Sequence, residues 1–222
     1  METNHRISQT NQKNKKEVRR QALLLRDALS PEERSLRSRQ IMDKVLALPC
    51  YREARVILAY ASFRSEVDTL PLVGQALQDG KRVFMPRVAG KEMEFWQIDR
   101  MEDLRRGYQG IPEPAESLAY PAYCAAGAAE ITRAASKTLM WMPGAAFDRE
   151  RHRIGYGGGF YDKYLYRLGQ MRETDLWRDV LPALTTMALA FDCQVSERIP
   201  SQPHDYRPDM IVTEQCVIRN EI

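Results

Sequence analysis

Arg55-Val56-Ile57-Leu58-Ala59-Tyr60 opens on one charge and continues without another polar residue until Ser62. A strand with one wet face alternates apolar and polar side chains. A strand covered on both faces does not, and that is the pattern of a parallel sheet. Thr138-Leu139-Met140-Trp141-Met142, closed by Pro143-Gly144, has the same character, as do Thr186–Phe191 and Met210-Ile211-Val212-Thr213. Val83-Phe84-Met85-Pro86 and Met93–Ile98 read as two further strands about a turn at Gly90.

The segments between these runs carry the helical period. Lys15–Leu29 reads as a helix with Val18, Ala22, Leu25 and Leu29 along one face. At Ser30-Pro31-Glu32-Glu33 a second helix starts: Ser30 can cap, Pro31 suits the first helical position and Glu33 completes a capping box. It runs to about Leu48 with Met42, Val45 and Leu46 on its stripe, and Pro49-Cys50 breaks it. Leu70–Gln78 is a helix ended by Gly80, and Phe160–Leu168 another. Gly107–Pro114 is a loop, and alanine-rich Ala115–Ser136 lacks a period and reads as a surface excursion. Strands alternating with helices specify one α/β domain over 15–222: a doubly wound, mostly parallel, open Rossmann-like sheet flanked by helices. Residues 1–14 are polar and read as a disordered tail.

Composition permits this and excludes other classes. With 222 residues, 44% of them hydrophobic, the chain can bury a core without staples. A net charge of +3, from 33 basic and 30 acidic residues, is too balanced to imply nucleic acid. The charge is uneven, however. Lys13, Lys15, Lys16, Arg19, Arg20 and Arg26 form one basic group, and Arg149, Arg151, His152 and Arg153 another. Two such groups suit a small polyanion held between chain segments, while most single Lys and Arg residues serve as solvated surface. Cys50, Cys124, Cys193 and Cys216 lack metal-ligand spacing and read as reduced thiols of a cytoplasmic protein. No apolar run reaches the ~18 residues of a membrane span.

The most informative stretch for function is Phe147-Asp148-Arg149-Glu150-Arg151-His152-Arg153-Ile154-Gly155-Tyr156-Gly157-Gly158-Gly159-Phe160-Tyr161-Asp162. It follows a buried strand and opens a helix. Its glycines let the backbone approach a ligand and turn N–H groups inward, and the helix N-terminus adds partial positive charge. Arg153 can present a fixed, bidentate charge to phosphate. No Gly-Lys-Ser/Thr follows, and Phe160 stands where a dinucleotide fingerprint needs glycine, so neither standard phosphate loop fits. Asp162 can cap the helix or hold a magnesium ion.

Met142-Pro143-Gly144, Phe147-Asp148, Arg153–Gly159 and Tyr161-Asp162 together resemble the signature of the 5-formyltetrahydrofolate cyclo-ligase family. The likeness continues in order over roughly residues 15–214. It takes in Lys15 and Arg19, Tyr60-Ala61-Ser62, Glu66-Val67-Asp68, Gly80-Lys81, Met85-Pro86-Arg87, Gly110-Ile111, Glu113-Pro114, Phe191, Gln194 and Pro203-His204-Asp205. The resemblance implies ATP-driven cyclisation of 5-formyltetrahydrofolate to 5,10-methenyltetrahydrofolate, with the formyl oxygen attacking the γ-phosphate and N10 then displacing phosphate. It implies ATP as co-substrate and Mg2+ as metal, with two small-molecule substrates and neither nucleic acid nor membrane as partner; we expect a monomer. Lys15, Arg19 and Arg153 would be the catalytic cations on the phosphates. Ile154, Gly155, Tyr156, Gly157, Gly158, Gly159, Phe160 and Tyr161 would complete the nucleotide site. Ala61, Glu66, Tyr156, Phe160 and Tyr161 would touch folate, and Asp162 and Asp205 the metal. Phe95 and Trp96 are further aromatic candidates by composition, with core packing the alternative.

Such chemistry needs mainly positioning and charge neutralisation, which this residue set can supply. The chain departs from the family in three places. Phe160 stands where tyrosine is usual, Arg151 and His152 replace small turn residues, and 115–136 is longer. A nucleic-acid-binding module using the basic N-terminal segment is the competing class, but residues 13–26 hold no aromatic for base stacking. A related enzyme phosphorylating another small acid is the third.

Overall fold

The computed structural model describes residues 2–116, 123, 137–172, 184–203 and 205–220. Five helices are labelled α1 (Glu2–Asp27), α2 (Pro31–Ala47), α3 (Pro49–Glu53), α4 (Leu70–Gln78) and α5 (Phe160–Arg172). The main sheet holds β1 (Val56–Leu58), β2 (Arg82–Ala89), β3 (Glu92–Ile98), β6 (Thr138–Met142), β9 (Leu184–Leu189), β11 (Met210–Val212) and β12 (Val217–Arg219). Two small sheets are formed by β4 (Leu104–Arg106) with β5 (Pro112–Pro114), and by β7 (Ala146–Asp148), β8 (Arg153–Ile154) and β10 (Val195–Ser196).

The main sheet runs β12-β11-β9-β6-β1-β2-β3, parallel except at its two edges. From β1 the chain winds outward to β2; from β6 it winds the other way to β9 and β11. The order reverses between β1 and β6, so the crevice beyond their carboxyl ends is the switch point where open α/β sheets bind ligands. The expected fold class, a mostly parallel open sheet flanked by helices, is what forms.

Side-chain alternation builds a core on each face. On one side Ile57, Ala59, Leu139 and Trp141 pack with Ile41 and Val45 of α2, Tyr51 of α3, and Leu72, Val73 and Ala76 of α4. On the other, Val56, Leu58, Met140 and Met142 pack with Phe95 and with Tyr164, Leu165 and Leu168 of α5. Burial on both faces is why the 56–60 run carries no charged residue. The capping box forms as expected, with Ser30 Oγ accepting from Glu33 N–H and the Glu33 carboxylate from Ser30 N–H.

The structure corrects several boundaries. The backbone is helical from Glu2, through the stretch read as a disordered tail, because nothing from 2 to 27 is a proline or glycine. Pro49 does not merely break α2; it starts α3, a role its locked φ suits. Leu25 is not on the buried face of α1 and stays 57% exposed, while Arg26, one residue on, is buried. The 107–114 loop contains a short strand, and the long connection after β6 contains the hairpin β7–β8. The 115–136 excursion lies mostly outside the described residues, as do Cys124 and His204. Cys50, Cys193 and Cys216 are free thiols, and among the described residues no helix is long and apolar enough to cross a membrane.

Ile57 sits fully buried on the central strand. Ile57→Ala is therefore expected to cost about 2–5 kcal/mol. Ser30→Ala, losing only the cap, should cost about 1 kcal/mol. Urea unfolding midpoints at unchanged slope check the order.

Candidate active site

Two chain segments leave the switch point, one after β1 and one after β6. The second folds back as the β7–β8 hairpin, which fixes where the glycine segment begins. Asp148, fully buried at the end of β7, organises the hairpin. Its carboxylate accepts from His152 N–H at 2.8 Å, from Ile199 N–H at 3.1 Å, and meets His152 Nδ1 at 2.9 Å. Gln194 secures the approach: its amide donates to the carbonyls of Gly144 and Ala145 and its oxygen accepts from Phe191 N–H.

Helix α1 docks on this small sheet through Val18 and Ala22, which pack with Ala146, Ile154 and Ile199. Helical spacing then brings Lys15, Arg19 and Arg26 onto the same inward face. Lys15 Nζ pairs with Asp205. Arg19 Nε donates to the Gly155 carbonyl at 2.7 Å. Arg26, 3% exposed, donates through Nε to Ser65 Oγ at 2.9 Å and through a terminal nitrogen to the Tyr156 hydroxyl.

Arg153 on β8 is the fourth cation. Its side chain, 4% exposed, donates to Asp162 Oδ1 in the first turn of α5 at 2.7 Å and to the Pro143 carbonyl at 3.3 Å. Its Nε is buried without a hydrogen-bond partner among the described residues. An unpaired buried donor is costly in a finished interior and expected where a ligand supplies the acceptor. Between Arg153 and α5 the glycine segment turns tightly. Gly157 has φ +103°, closed to ordinary L residues, and a β-carbon on Gly158 would lie 2.8 Å from the Phe160 ring.

After β1, the Ala61–Glu66 turn brings a carboxylate to the same crevice. Glu66 accepts from Phe63 N–H at 2.8 Å. Burial raises its carboxyl above the ordinary range, opposed by the nearby Tyr156 hydroxyl, the Phe63 N–H and Arg26. Burial, reinforced by Glu66, also raises the phenols of Tyr60, Tyr156 and Tyr161. These phenols are therefore neutral hydrogen-bonding groups. Tyr156 as a whole is 45% exposed although its hydroxyl is held, leaving the rest of the side chain open.

The fold thus brings together Lys15 with Asp205, Arg19 with Gly155, Arg153 with Asp162, and Glu66 with Tyr156. Tyr161 lies within electrostatic reach of both Glu66 and Arg153. Ile154 turns its side chain into the apolar contact beneath α1, so only its backbone faces the loop. Ala61 is buried. Phe95 is core, packed on Tyr161 and Tyr164, and Trp96 lies under the Arg87 guanidinium at 4.1 Å. Arg26 was counted in the basic cluster but not as a site residue; its spacing from Arg19 and Ala22 is the signal that places it. Among the described residues no three His, Cys, Asp or Glu side chains group to hold a metal, and Asp162 and Asp205 each pair with a cation, Arg153 and Lys15.

A glycine segment flanked by Arg19 and Arg153 at the switch point of an open sheet is the arrangement of an α/β ligand-binding fold. The chain matches the 5-formyltetrahydrofolate cyclo-ligase family over residues 11–214 and belongs to that family. It is 30% identical to the 5-formyltetrahydrofolate cyclo-ligase of Mus musculus over 193 residues, 84% of this chain and 87% of that one. It is 32% identical to the mitochondrial 5-formyltetrahydrofolate cyclo-ligase of Arabidopsis thaliana over 204 residues, 86% of this chain and 70% of that one. The solution NMR structure of Aquifex aeolicus 5,10-methenyltetrahydrofolate synthetase superposes with a TM-score of 0.71 at 29% identity, covering 92% of each chain.

The strained glycine separates from an ordinary one. Gly169, in α5 with nothing within 4 Å of an added β-carbon, should gain about 0.5–1 kcal/mol as Gly169→Ala. Gly157→Ala should lose about 1–3 kcal/mol through its φ. Thermal unfolding of the two variants beside the parent checks the opposite signs.

Proposed function

We propose that this protein catalyses the ATP-dependent cyclisation of 5-formyltetrahydrofolate to 5,10-methenyltetrahydrofolate, releasing ADP and phosphate. Family membership over residues 11–214 names the reaction. The observation that ties this chain's residues to it is the placing of Arg19 and Arg153 against the glycine segment, with Lys15 one turn before Arg19 on α1 and the Arg153 Nε unpaired among the described residues.

A formyl oxygen on nitrogen is a weak nucleophile, and its carbon has no good leaving group. Attack of that oxygen on the γ-phosphorus breaks the bond to ADP and solves both problems. N10 then attacks the formyl carbon, losing its proton as the C–N bond closes, and the C–O bond breaks to release phosphate. The chain mainly orients the partners and neutralises charge. Arg153 has a free donor and a rigid fork to place on the transferring group. Lys15 and Arg19 extend the positive surface along α1, and loop N–H groups add fixed dipoles. Magnesium, when bound, supplies charge neutralisation on the phosphates. Asp162 and Asp205 would hold it, in keeping with an ion that takes one or two carboxylates plus phosphates. In the ligand-free arrangement these carboxylates pair with Arg153 and Lys15, so incoming phosphate oxygens and cation can replace each as partner of the other.

Glu66 supplies an acceptor for ring N–H groups of the pterin, and Tyr156, Phe160 and Tyr161 supply aromatic surface. Phe160, without a hydroxyl, contributes packing only. The free thiols suit a reducing cytoplasm.

The test is growth of the methenyltetrahydrofolate absorbance band with purified protein, 5-formyltetrahydrofolate, ATP and magnesium. The band should appear only when all are present. Arg153→Ala should lower kcat/KM by about 10²–10³, as expected for removing a transition-state donor. A flat trace from folded, ATP-binding protein would overturn the assignment in favour of a different small-molecule acid.

A further inference from the structure

Arg26 is a buried cation beside the site that no step above uses. Its Nε donates to Ser65 Oγ at 2.9 Å, a terminal nitrogen donates to the Tyr156 hydroxyl, and its guanidinium carbon lies 5.6 Å from the Tyr156 ring centroid. A guanidinium can only donate. Each hydroxyl must therefore accept from Arg26 and spend its one proton elsewhere. Ser65 donates to Asp27, and the Tyr156 proton is left for the Glu66 side, whose carboxylate lies within its electrostatic reach. One side chain thus fixes the direction of the Arg26 to Ser65 to Asp27 relay and turns the Tyr156 proton away from itself, and in doing so it bridges the turn after β1 to the glycine segment. The Glu66 carboxylate accepts from Phe63 N–H at 2.8 Å, so it is held as an acceptor.

We propose that Arg26 is a positioning residue for the folate end of the site, bridging Ser65 and Tyr156 to tie the glycine segment to the turn after β1 and so to place Glu66, which that turn carries. It rests on the cyclo-ligase reading for what Glu66 contacts. The other groups in electrostatic reach of Glu66 among the described residues are the neutral phenols of Tyr60, just after β1, and Tyr161, on α5, and Tyr161 is also in reach of Arg153. Arg26 is the cation that opposes the burial of this carboxylate. A plain helix-end role, a basic residue in the last turn of α1 favoured by the dipole, would require none of these contacts.

The two roles separate in one experiment. Steady-state constants for both substrates are measured against pH for the parent, Arg26→Gln, Arg26→Lys and Tyr156→Phe. The Glu66 carboxyl, assigned with Glu66→Gln, is titrated by ¹³C NMR in ligand-free protein. Losing a hydrogen bond to a charged group should raise KM for 5-formyltetrahydrofolate in Arg26→Gln by about tenfold or more, with KM for ATP unchanged. A nearby cation favours the carboxylate, so its removal lets Glu66 keep its proton to higher pH. The acid limb of kcat/KM for the folate and the NMR titration should both move up. Tyr156→Phe should move them the same way, and Arg26→Lys, which keeps the charge with one anchor fewer, should restore the titration and part of the KM. If Arg26→Gln lowers the unfolding midpoint while the KM ratio and the Glu66 titration stay at parent values, the residue only finishes the helix and the proposal falls. A parent protein that forms no methenyl product would sink the cyclo-ligase reading, and the ligand-free titration would still decide the role of Arg26.

Discussion

The arrangement depends on a modest apolar contact, Val18 and Ala22 of α1 against Ala146, Ile154 and Ile199. Without it α1 would be a basic helix in solvent. With it, the turns before and after the contact carry Arg19 and Arg26 to the glycine segment and Lys15 to Asp205. Each cation then meets a defined acceptor: a carboxylate, a carbonyl and a pair of hydroxyls. Partial burial of a cation is tolerated only when it is paired in this way. The same geometry counts against the nucleic-acid-binding alternative, since phosphate-backbone binding needs cations presented outward.

Two departures from the family pattern acquire a reason here. Arg151 and His152 stand where small turn residues are usual. Arg151 adopts φ +66°, an uncommon conformation for a long side chain, and its buried guanidinium donates to the Pro208 carbonyl at 3.1 Å. His152 engages Asp148 on one ring nitrogen and Arg207 on the other at 2.6 Å. The hairpin turn is thereby fastened to the 199–208 segment, which carries Asp205. What a small residue would achieve by fitting the turn, this chain achieves by anchoring it.

What the sequence made legible follows the range of the forces involved. The strands β1 and β6, α4 and the capping box at Ser30 are set by neighbours along the chain: continuous apolarity, a 3.6 period, one cap. Their bounds were readable to within a residue or two. The β7–β8 hairpin was not, because its order comes from Asp148 and Gln194, whose partners lie up to 51 residues away. Leu25 and Arg26 show the limit most clearly. Hydrophobicity assigns Leu25 inward, yet the spacing of Val18, Ala22 and Leu29 admits residue 26 at least as well. The site's hydroxyls and carboxylate, absent from any local window, decide for the cation. The position of the glycine segment between a strand and a helix was legible. That Tyr156 would link it through Arg26 to the turn carrying Glu66 was not, since that turn lies on the far side of the switch point in sequence.

That link makes the crevice one site. Tyr161 packs against both faces' cores and lies between Glu66 and Arg153 in the electrostatics of the crevice. Its phenol, kept neutral by burial, separates a carboxylate on the β1 side from a guanidinium on the β8 side. The ring thus occupies space in which bulk water would otherwise screen the carboxylate and the guanidinium from one another. The switch point supplies the crevice, and the two segments that leave it supply opposite charges. Helix α1, bridging them through Arg19 and Arg26, sets their separation.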